Sequence, residues 1–182
     1  MSESIHNKVK EQFSKTASAY VTSSIHAKGD DLQLLLELSG DVTHKSVLDI
    51  ATGGGHTALA FAKAGARVTA TDLTVPMLEK AQAFIESQGV SEVCFQEAKA
   101  EDLPFADDTF DRVTCRIAAH HFAEPQSFVN EVARVLKLGG QLLLVDNISP
   151  NDQELTKTMN HIEKTRDPVM FGLTAFRHGL TG

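Results

Sequence analysis

The stretch that decides the fold is Val47-Leu48-Asp49-Ile50-Ala51-Thr52-Gly53-Gly54-Gly55. A short apolar run that ends in an acid and consecutive glycines predicts a buried strand followed by a tight loop. Glycines there permit positive φ and would let a ligand approach the backbone. The residues His56 to Lys63 predict a helix that Gly65 closes. Considered alone, the glycines fit a turn without a ligand about as well as they fit a ligand-binding loop.

The same alternation of strand and helix repeats along the chain. Helices are predicted after Pro76 and Pro125, because proline suits a first helical turn, with Gly89 stopping the first and Gly139-Gly140 ending the second. Strands are predicted at Arg67 to Thr71, Glu92 to Gln96, Phe110 to Cys115 and Gln141 to Asp146. This order favours an α/β fold, a Rossmann-like doubly wound and mainly parallel sheet with helices on both faces. Ligands of such sheets bind at the carboxyl ends of the strands.

A chain of 182 residues suits one domain, residues 1–182. Residues 1–40 are predicted to be helical, since Val9, Phe13, Ala17 and Tyr20 would share one helix face and a leucine-rich helix follows Gly29. Residues 41–147 form the Rossmann-like core. Residues 148–182 are predicted to be a truncated and weakly patterned carboxyl-terminal segment.

Composition excludes several classes of function. A net charge of −7 without a dense Lys/Arg run disfavours nucleic-acid binding. No stretch is long and apolar enough to span a membrane or to act as a signal peptide, which predicts a cytoplasmic protein. Cys94 and Cys115 are isolated, and the histidines lack metal-ligand spacing, so neither a redox pair nor a metal is predicted.

A second acid strengthens the case for a ligand. Asp72 ends the second predicted strand, 17 positions after Gly55, where a carboxylate can accept both hydroxyls of an adenosine ribose. Alone, Asp72 could equally be a helix cap. The contiguous glycines lack the spaced G-x-G-x-x-G pattern of dinucleotide sites, and Asp49 suits a cationic neighbour. The charges therefore favour S-adenosylmethionine over a nicotinamide dinucleotide.

Four segments, in order, resemble a known family. The stretch from Val47 to Gly55 resembles the first motif of class I S-adenosylmethionine-dependent methyltransferases. Ala100 to Phe105, Phe110 to Phe122 and Arg134 to Gly140 resemble the later motifs of the ubiquinone/menaquinone-biosynthesis branch. The resemblance covers roughly Val9 to Asn147 and implies methyl transfer to a small molecule.

The resemblance also implies roles for single residues. Asp49 and the loop would line the methionine part of the cofactor, Asp72 the ribose, and Leu73, Met77 and Ala100-Glu101 the adenine. Phe13 to Tyr20 resembles the family's lid. The predicted cofactor-binding residues are Asp49, Ala51, Thr52, Gly53, Gly54, Gly55, Asp72, Leu73, Met77, Ala100, Glu101, Arg116 and Tyr20.

Two departures from the family pattern are visible. Lys99 occupies a position where relatives commonly have an aspartate that accepts a hydrogen bond from adenine, and lysine has no acceptor. We expect weaker cofactor binding, by about 1 kcal/mol. Relatives also usually continue further, with two more strands. The sheet is therefore expected to lack its last strands, and its exposed edge predicts a homodimer as one outcome.

Catalysis by positioning is expected, because the methyl donor is already activated. His120 and His121, after the fourth strand, are the candidate catalytic bases, although paired histidines there also suit a cap or a cofactor contact. Arg116 suits either an anionic acceptor or a pair with a surface carboxylate. The leading hypothesis is methylation of carbon or oxygen of a small, quinone-like acceptor. The alternatives are a non-catalytic cofactor-binding remnant and, third, an NAD-dependent oxidoreductase.

Overall fold

A computed structural model describes residues 29–147 of the chain. The helices of this part are α1 (Asp30–Ser39), α2 (His56–Lys63), α3 (Val75–Ser87) and α4 (Pro125–Val135), with a short 3₁₀ helix at Ala119–His121. The strands are β1 (Ser46–Ile50), β2 (Arg67–Asp72), β3 (Val93–Glu97), β4 (Phe110–Arg116) and β5 (Leu136–Val145). The predicted amino-terminal helix with Tyr20 and the segment after Asn147 lie outside the described residues.

The five strands form one parallel sheet in the order β3-β2-β1-β4-β5. The central strand β1 pairs with β2, where Val47 lies opposite Val68, and with β4, where Leu48 lies opposite Val113. The direction of winding reverses between β1 and β4, and ligands of doubly wound sheets bind beyond the strand ends at such a reversal. The predicted α/β fold is confirmed.

Helices cover both faces of the sheet. Val47 packs in one apolar cluster with residues of α1, α2 and α3, and its neighbour Leu48 packs in a second cluster with residues of α4. Neighbouring residues of a strand point to opposite faces, so β1 supplies both cores. Both side chains are fully buried. A continuous apolar run is therefore what this central position requires.

The predicted end of the fourth helix and the predicted start of the fifth strand were wrong. The fourth helix ends at Val135, not at Gly139-Gly140, and β5 begins at Leu136, which lies opposite Phe110. The register of β4 and β5 then shifts through an irregular stretch, in which Gly139 has φ +77°. The Lys137 amine donates to the Asp111 carboxylate across 3.0 Å. The glycines serve a bulge in the strand and not the end of a helix.

Gly55 fixes how closely α2 approaches α3. It has φ +82°, and a Cβ added there would lie 3.1 Å from both Ala81 Cβ and Ile85 Cδ1. Gly55→Ala is therefore expected to destabilise the fold twice, through the left-handed backbone and through overpacking, by about 2 to 4 kcal/mol in all. Urea unfolding of the purified variant measures this loss.

Gly89→Ala is the matched control. Gly89 also has a left-handed backbone, with φ +78°, but nothing lies within 4 Å of an added Cβ. Only the backbone cost of about 1 to 2 kcal/mol is expected there. Equal losses in the two variants would contradict the close packing of α2 on α3.

Candidate functional site

The glycine loop is held by hydrogen bonds to the end of β2. The Thr52 amide donates to the carbonyl of Thr71 across 2.8 Å. Ala51 and Gly53 both have φ +55°, a left-handed conformation that is costly for alanine. A strained backbone of this kind persists where the surrounding structure imposes it, often at a ligand site. The loop is therefore shaped in advance of any ligand.

Asp49 is a buried carboxylate at the base of this loop. Its two oxygens accept hydrogen bonds from the hydroxyls of Thr52 and Thr114, each across 2.7 Å. Burial raises the pKa of Asp49 to about 6, although these hydrogen bonds oppose the rise. At neutral pH the protein thus carries a buried negative charge at the carboxyl end of β1.

A second buried carboxylate, Asp72, lies at the end of β2. It accepts hydrogen bonds from the Gly53 amide across 3.2 Å and from the Thr74 amide across 3.1 Å. Burial raises the pKa of Asp72 as well, against these hydrogen bonds. Because Thr52 binds Asp49 and Gly53 binds Asp72, adjacent residues of the loop connect the two acids.

The segment after β3 forms a further side of the site. The Ala98 amide donates to the carbonyl of Asp72 across 3.0 Å, which ties this segment to β2. Ala100 is buried, whereas Lys99 is exposed and pairs through its backbone with Asp102. The Glu101 carboxylate accepts a hydrogen bond from the Ala123 amide across 2.9 Å, so it also holds the loop that precedes α4.

Arg116, at the end of β4, forms a paired contact with α1. Its Nε lies 2.5 Å from Asp31 Oδ2 and its Nη2 lies 3.0 Å from Asp31 Oδ1. The Arg116 side chain is only 5% exposed, and its charge lowers the pKa of Asp31, chiefly through the hydrogen bond. The structure therefore shows the carboxylate pair that the sequence left open as one alternative for Arg116.

The two candidate histidines have different positions. His121 lines the cleft, whereas the His120 ring contacts Asp146, with 2.5 Å between Nδ1 and Oδ1. Ile117, three positions before His120, has φ +53°, which is unusual for a β-branched side chain. The loop after β4 is thus a second strained segment at the same end of the sheet.

These segments surround one cleft of about 1020 Å³, a volume that includes its open mouth. The residues that line the cleft are Asp49, Ile50, Ala51, Thr52, Gly53, Gly54, His56, Thr57, Asp72, Leu73, Met77, Ala98, Lys99, Ala100, Glu101, Arg116, Ile117, Ala118, His121 and Phe122.

The predicted site residues fall into three groups. Those brought together around the cleft are Asp49, Ala51, Thr52, Gly53, Gly54, Asp72, Leu73, Met77, Ala100, Glu101, Arg116 and His121. Gly55 lies behind the loop against α3, and His120 lies behind His121. Tyr20 lies outside the described residues.

Sequence reasoning missed several residues of the site. His56, the first residue of α2, is buried, lines the cleft and contacts the Phe84 ring with 4.7 Å between ring centroids. Its position directly after the glycines was the available signal. Phe122 ends one of the segments that carry the family resemblance. Asp31 and Asp146 gave no local signal, because only the tertiary fold brings Asp31 to Arg116 and Asp146 to His120.

The sequence profile of the Methyltransferase domain family matches residues 48–144. This chain belongs to that methyltransferase family. The match begins in β1 and ends in β5, so it includes every strand of the sheet. The family expected from the four sequence motifs is confirmed.

Named relatives agree with the family. The uncharacterized methyltransferase YcgJ of Bacillus subtilis is 46% identical over 156 residues, which are 86% of this chain and 62% of that protein. The demethylmenaquinone methyltransferase of Clavibacter sepedonicus is 34% identical over 146 residues, 78% of this chain and 59% of that protein. The crystal structure of YcgJ superposes with a TM-score of 0.76 and 42% identity, covering 82% of this chain and 64% of that one.

The chain thus spans less than two thirds of the length of these relatives.

Among residues 29–147, no helix has the length and apolar character needed to cross a bilayer. The same residues contain no group of three or more His, Cys, Asp or Glu side chains arranged to hold a metal ion.

Proposed function

We propose that the protein binds S-adenosylmethionine in the cleft and transfers its methyl group to carbon or oxygen of a small, quinone-like acceptor. The observation that carries this proposal is the pair of buried carboxylates, Asp49 and Asp72, connected by the glycine loop. The family match supports the reaction class. S-adenosylmethionine, when bound, supplies a methyl group activated by a positive sulfur.

The charges of the cleft fit this cofactor. Asp49 would balance the ammonium and sulfonium charges, which a buried carboxylate attracts strongly in a weakly polar environment. Asp72 would accept the two ribose hydroxyls. Leu73, Met77 and Ala100 provide an apolar lining for the adenine ring. The cationic part and the ribose of the cofactor would thus each face a buried carboxylate.

The same charges disfavour a nicotinamide dinucleotide. Its pyrophosphate would lie against a loop that already contacts two carboxylates. Arg116 lines the cleft, but its guanidinium is paired with Asp31. The spaced glycines that bring a pyrophosphate to a helix amino end are also absent from residues 49–55. We therefore give the oxidoreductase no further weight.

The residues of the acceptor side suit proton removal. His121 lines the cleft in the 3₁₀ turn after β4, and a neutral imidazole has a ring nitrogen that can accept a proton. We propose that it takes the proton of an acidic acceptor, and that His120 assists. The chain's own contribution is then to position the acceptor, accept its proton and exclude water.

A cytoplasmic location and a homodimer through the edge of β5 stay predictions.

Calorimetric titration of the whole protein with S-adenosylmethionine, S-adenosylhomocysteine and NAD tests the proposal. We expect saturable binding of the first two at one site per chain and none of NAD. If a cooperatively folded protein binds neither sulfur ligand, the proposal is wrong. Binding without turnover across a panel of phenolic and quinol acceptors would instead support the non-catalytic remnant.

A further inference from the structure

The ends of β4 and β5 are tied together by a set of hydrogen bonds outside the cofactor loop. The Ile117 amide donates to the carbonyl of Val145 across 2.7 Å, and the His120 amide donates to Asp146 Oδ2 across 2.9 Å. The second oxygen of Asp146 contacts the Nδ1 of the same histidine ring across 2.5 Å. One carboxylate therefore fixes both the backbone and the ring of His120.

His120 in turn packs on His121. The centroids of the two rings lie 4.0 Å apart with 50° between their planes. The His121 amide donates to the carbonyl of Ala118 across 2.9 Å, which closes the short 3₁₀ turn. The His120 side chain is 10% exposed, whereas His121 lines the cleft. The first ring thus serves as a backing for the second.

We propose that Asp146 is a positioning residue, which acts through His120 to hold the His121 ring against the acceptor, and that the acceptor carries a weakly acidic O–H or C–H bond. This inference rests on the proposed function. The acceptor atom keeps the electron pair of that bond and forms its bond to the methyl carbon. The sulfur–methyl bond breaks with its pair going to sulfur, and the proton goes to a His121 ring nitrogen.

The charge of Asp146 supports this arrangement. Burial raises the pKa of Asp146, but the hydrogen bonds from the His120 ring, the His120 amide and the Asn147 amide, together with the charge attraction of His120, outweigh burial and leave the pKa lowered. An anionic carboxylate at neutral pH requires a hydrogen on Nδ1 of His120. The remaining charged or titratable groups around the cleft are Asp49, Asp72, Lys99, Glu101, Arg116 and His56, and none of them changes in the variant below.

Asp146→Asn tests the positioning directly. The Asn side chain can satisfy the His120 amide with its oxygen only by turning its NH₂ toward Nδ1, which favours the tautomer with hydrogen on Nε2. We expect nitrogen-15 spectra of the histidine rings, assigned with His120→Gln, to show this change. An unchanged His120 tautomer in Asp146→Asn would overturn the proposal.

Kinetics and binding provide the second readout. Turnover of a phenolic acceptor by Asp146→Asn is expected to fall roughly tenfold or more, because a displaced base loses part of its effect. The dissociation constant of S-adenosylhomocysteine should stay within about twofold, since Asp146 is not among the cleft residues. Glu124→Gln, which removes an exposed charge from the neighbouring loop, is the matched control and should leave both quantities unchanged.

The two proposals fail in different ways. Wild-type protein that does not bind S-adenosylhomocysteine overturns the proposed function, whereas the tautomer measurement separately shows whether Asp146 fixes the His120 ring. Equal losses of turnover, ligand binding and thermal stability in Asp146→Asn would mean that Asp146 only supports the fold. We expect Asp146→Asn to lose turnover but to keep ligand binding and thermal stability. We also expect the acidic limb of its pH profile to move.

Discussion

Asp72→Asn is expected to weaken binding of S-adenosylhomocysteine by roughly a hundredfold. The carboxylate would accept two ribose hydroxyls, and charge-assisted hydrogen bonds contribute about 1.5 kcal/mol each, or about 3 kcal/mol together. An amide offers one acceptor and turns its NH₂ toward the second hydroxyl. Calorimetric titration at pH 7.5 measures the change in dissociation constant.

Asp72→Asn also changes hydrogen bonds within the ligand-free protein, and this effect must be separated from the effect on ligand binding. Asp72 accepts the amides of Gly53 and Thr74, so an asparagine in either orientation leaves one of these donors facing an NH₂ group. Urea unfolding without ligand reports this local cost. Glu92→Gln removes an exposed carboxylate before β3 and should bind like wild type. Wild-type affinity in folded Asp72→Asn would contradict the ribose role.

Local patterns predicted most of the fold because its elements follow local rules. The apolar run that contains Val47 became the central strand, and Pro76 and Pro125 lie in the first turns of α3 and α4. Gly89, with φ +78°, follows the end of α3 as expected. The start of β5 was missed because Leu136 fits a helix and a strand equally well. Only its pairing with Phe110 decides between them.

Only the part of the site at the ends of β1 and β2 was predictable from the sequence. Asp49, Asp72 and the glycines lie at strand ends that the periodicity locates, so their meeting follows from the fold class. Arg116 and Asp31 are 85 positions apart, and His120 and Asp146 are 26 apart. No spacing rule joins residues so distant, and the left-handed backbone of Ala51 and Ile117 has no signal in residue type. These features arise from tertiary packing.

The buried acids indicate a conflict between stability and binding. A carboxylate whose pKa rises on folding favours the unfolded state once it is ionised. Asp49 and Asp72 both have raised pKa values because they are buried. A cationic ligand would remove this penalty by neutralising the charge. The ligand-free protein with ionised acids is ready to bind a cation. It is also expected to be less stable toward unfolding than the ligand-free protein with protonated acids.

Asp49→Asn is therefore expected to stabilise the protein without ligand at pH 8, by about 3 kcal/mol. The pKa of Asp49 rises from 3.8 to about 6 on folding, and each unit corresponds to about 1.4 kcal/mol. The free energy of unfolding of the wild-type protein falls by this amount as the pH rises through about 6, because Asp49 ionises. The asparagine of the variant has no charge to ionise. The hydroxyls of Thr52 and Thr114 can reverse their hydrogen bonds to suit the amide.

Urea unfolding between pH 4 and pH 8 measures this difference, which should be close to zero at pH 4. Asp111→Asn is a control of opposite sign, because hydrogen bonds from Ser46 lower the pKa of Asp111. That carboxylate stabilises the fold at neutral pH, and its contribution disappears as the pH falls. A gain in stability from Asp49→Asn that does not depend on pH would show that ionisation is not its cause.

The same variant should bind the cationic cofactor more weakly, so stability and affinity change in opposite directions. Wild-type affinity for S-adenosylmethionine is expected to fall about tenfold for each pH unit below about 6, as Asp49 takes up a proton. Asp49→Asn should show weak binding that varies little over this range. If both proteins lost affinity in parallel as the pH fell, another group would control binding, and Asp49 would have only a structural role.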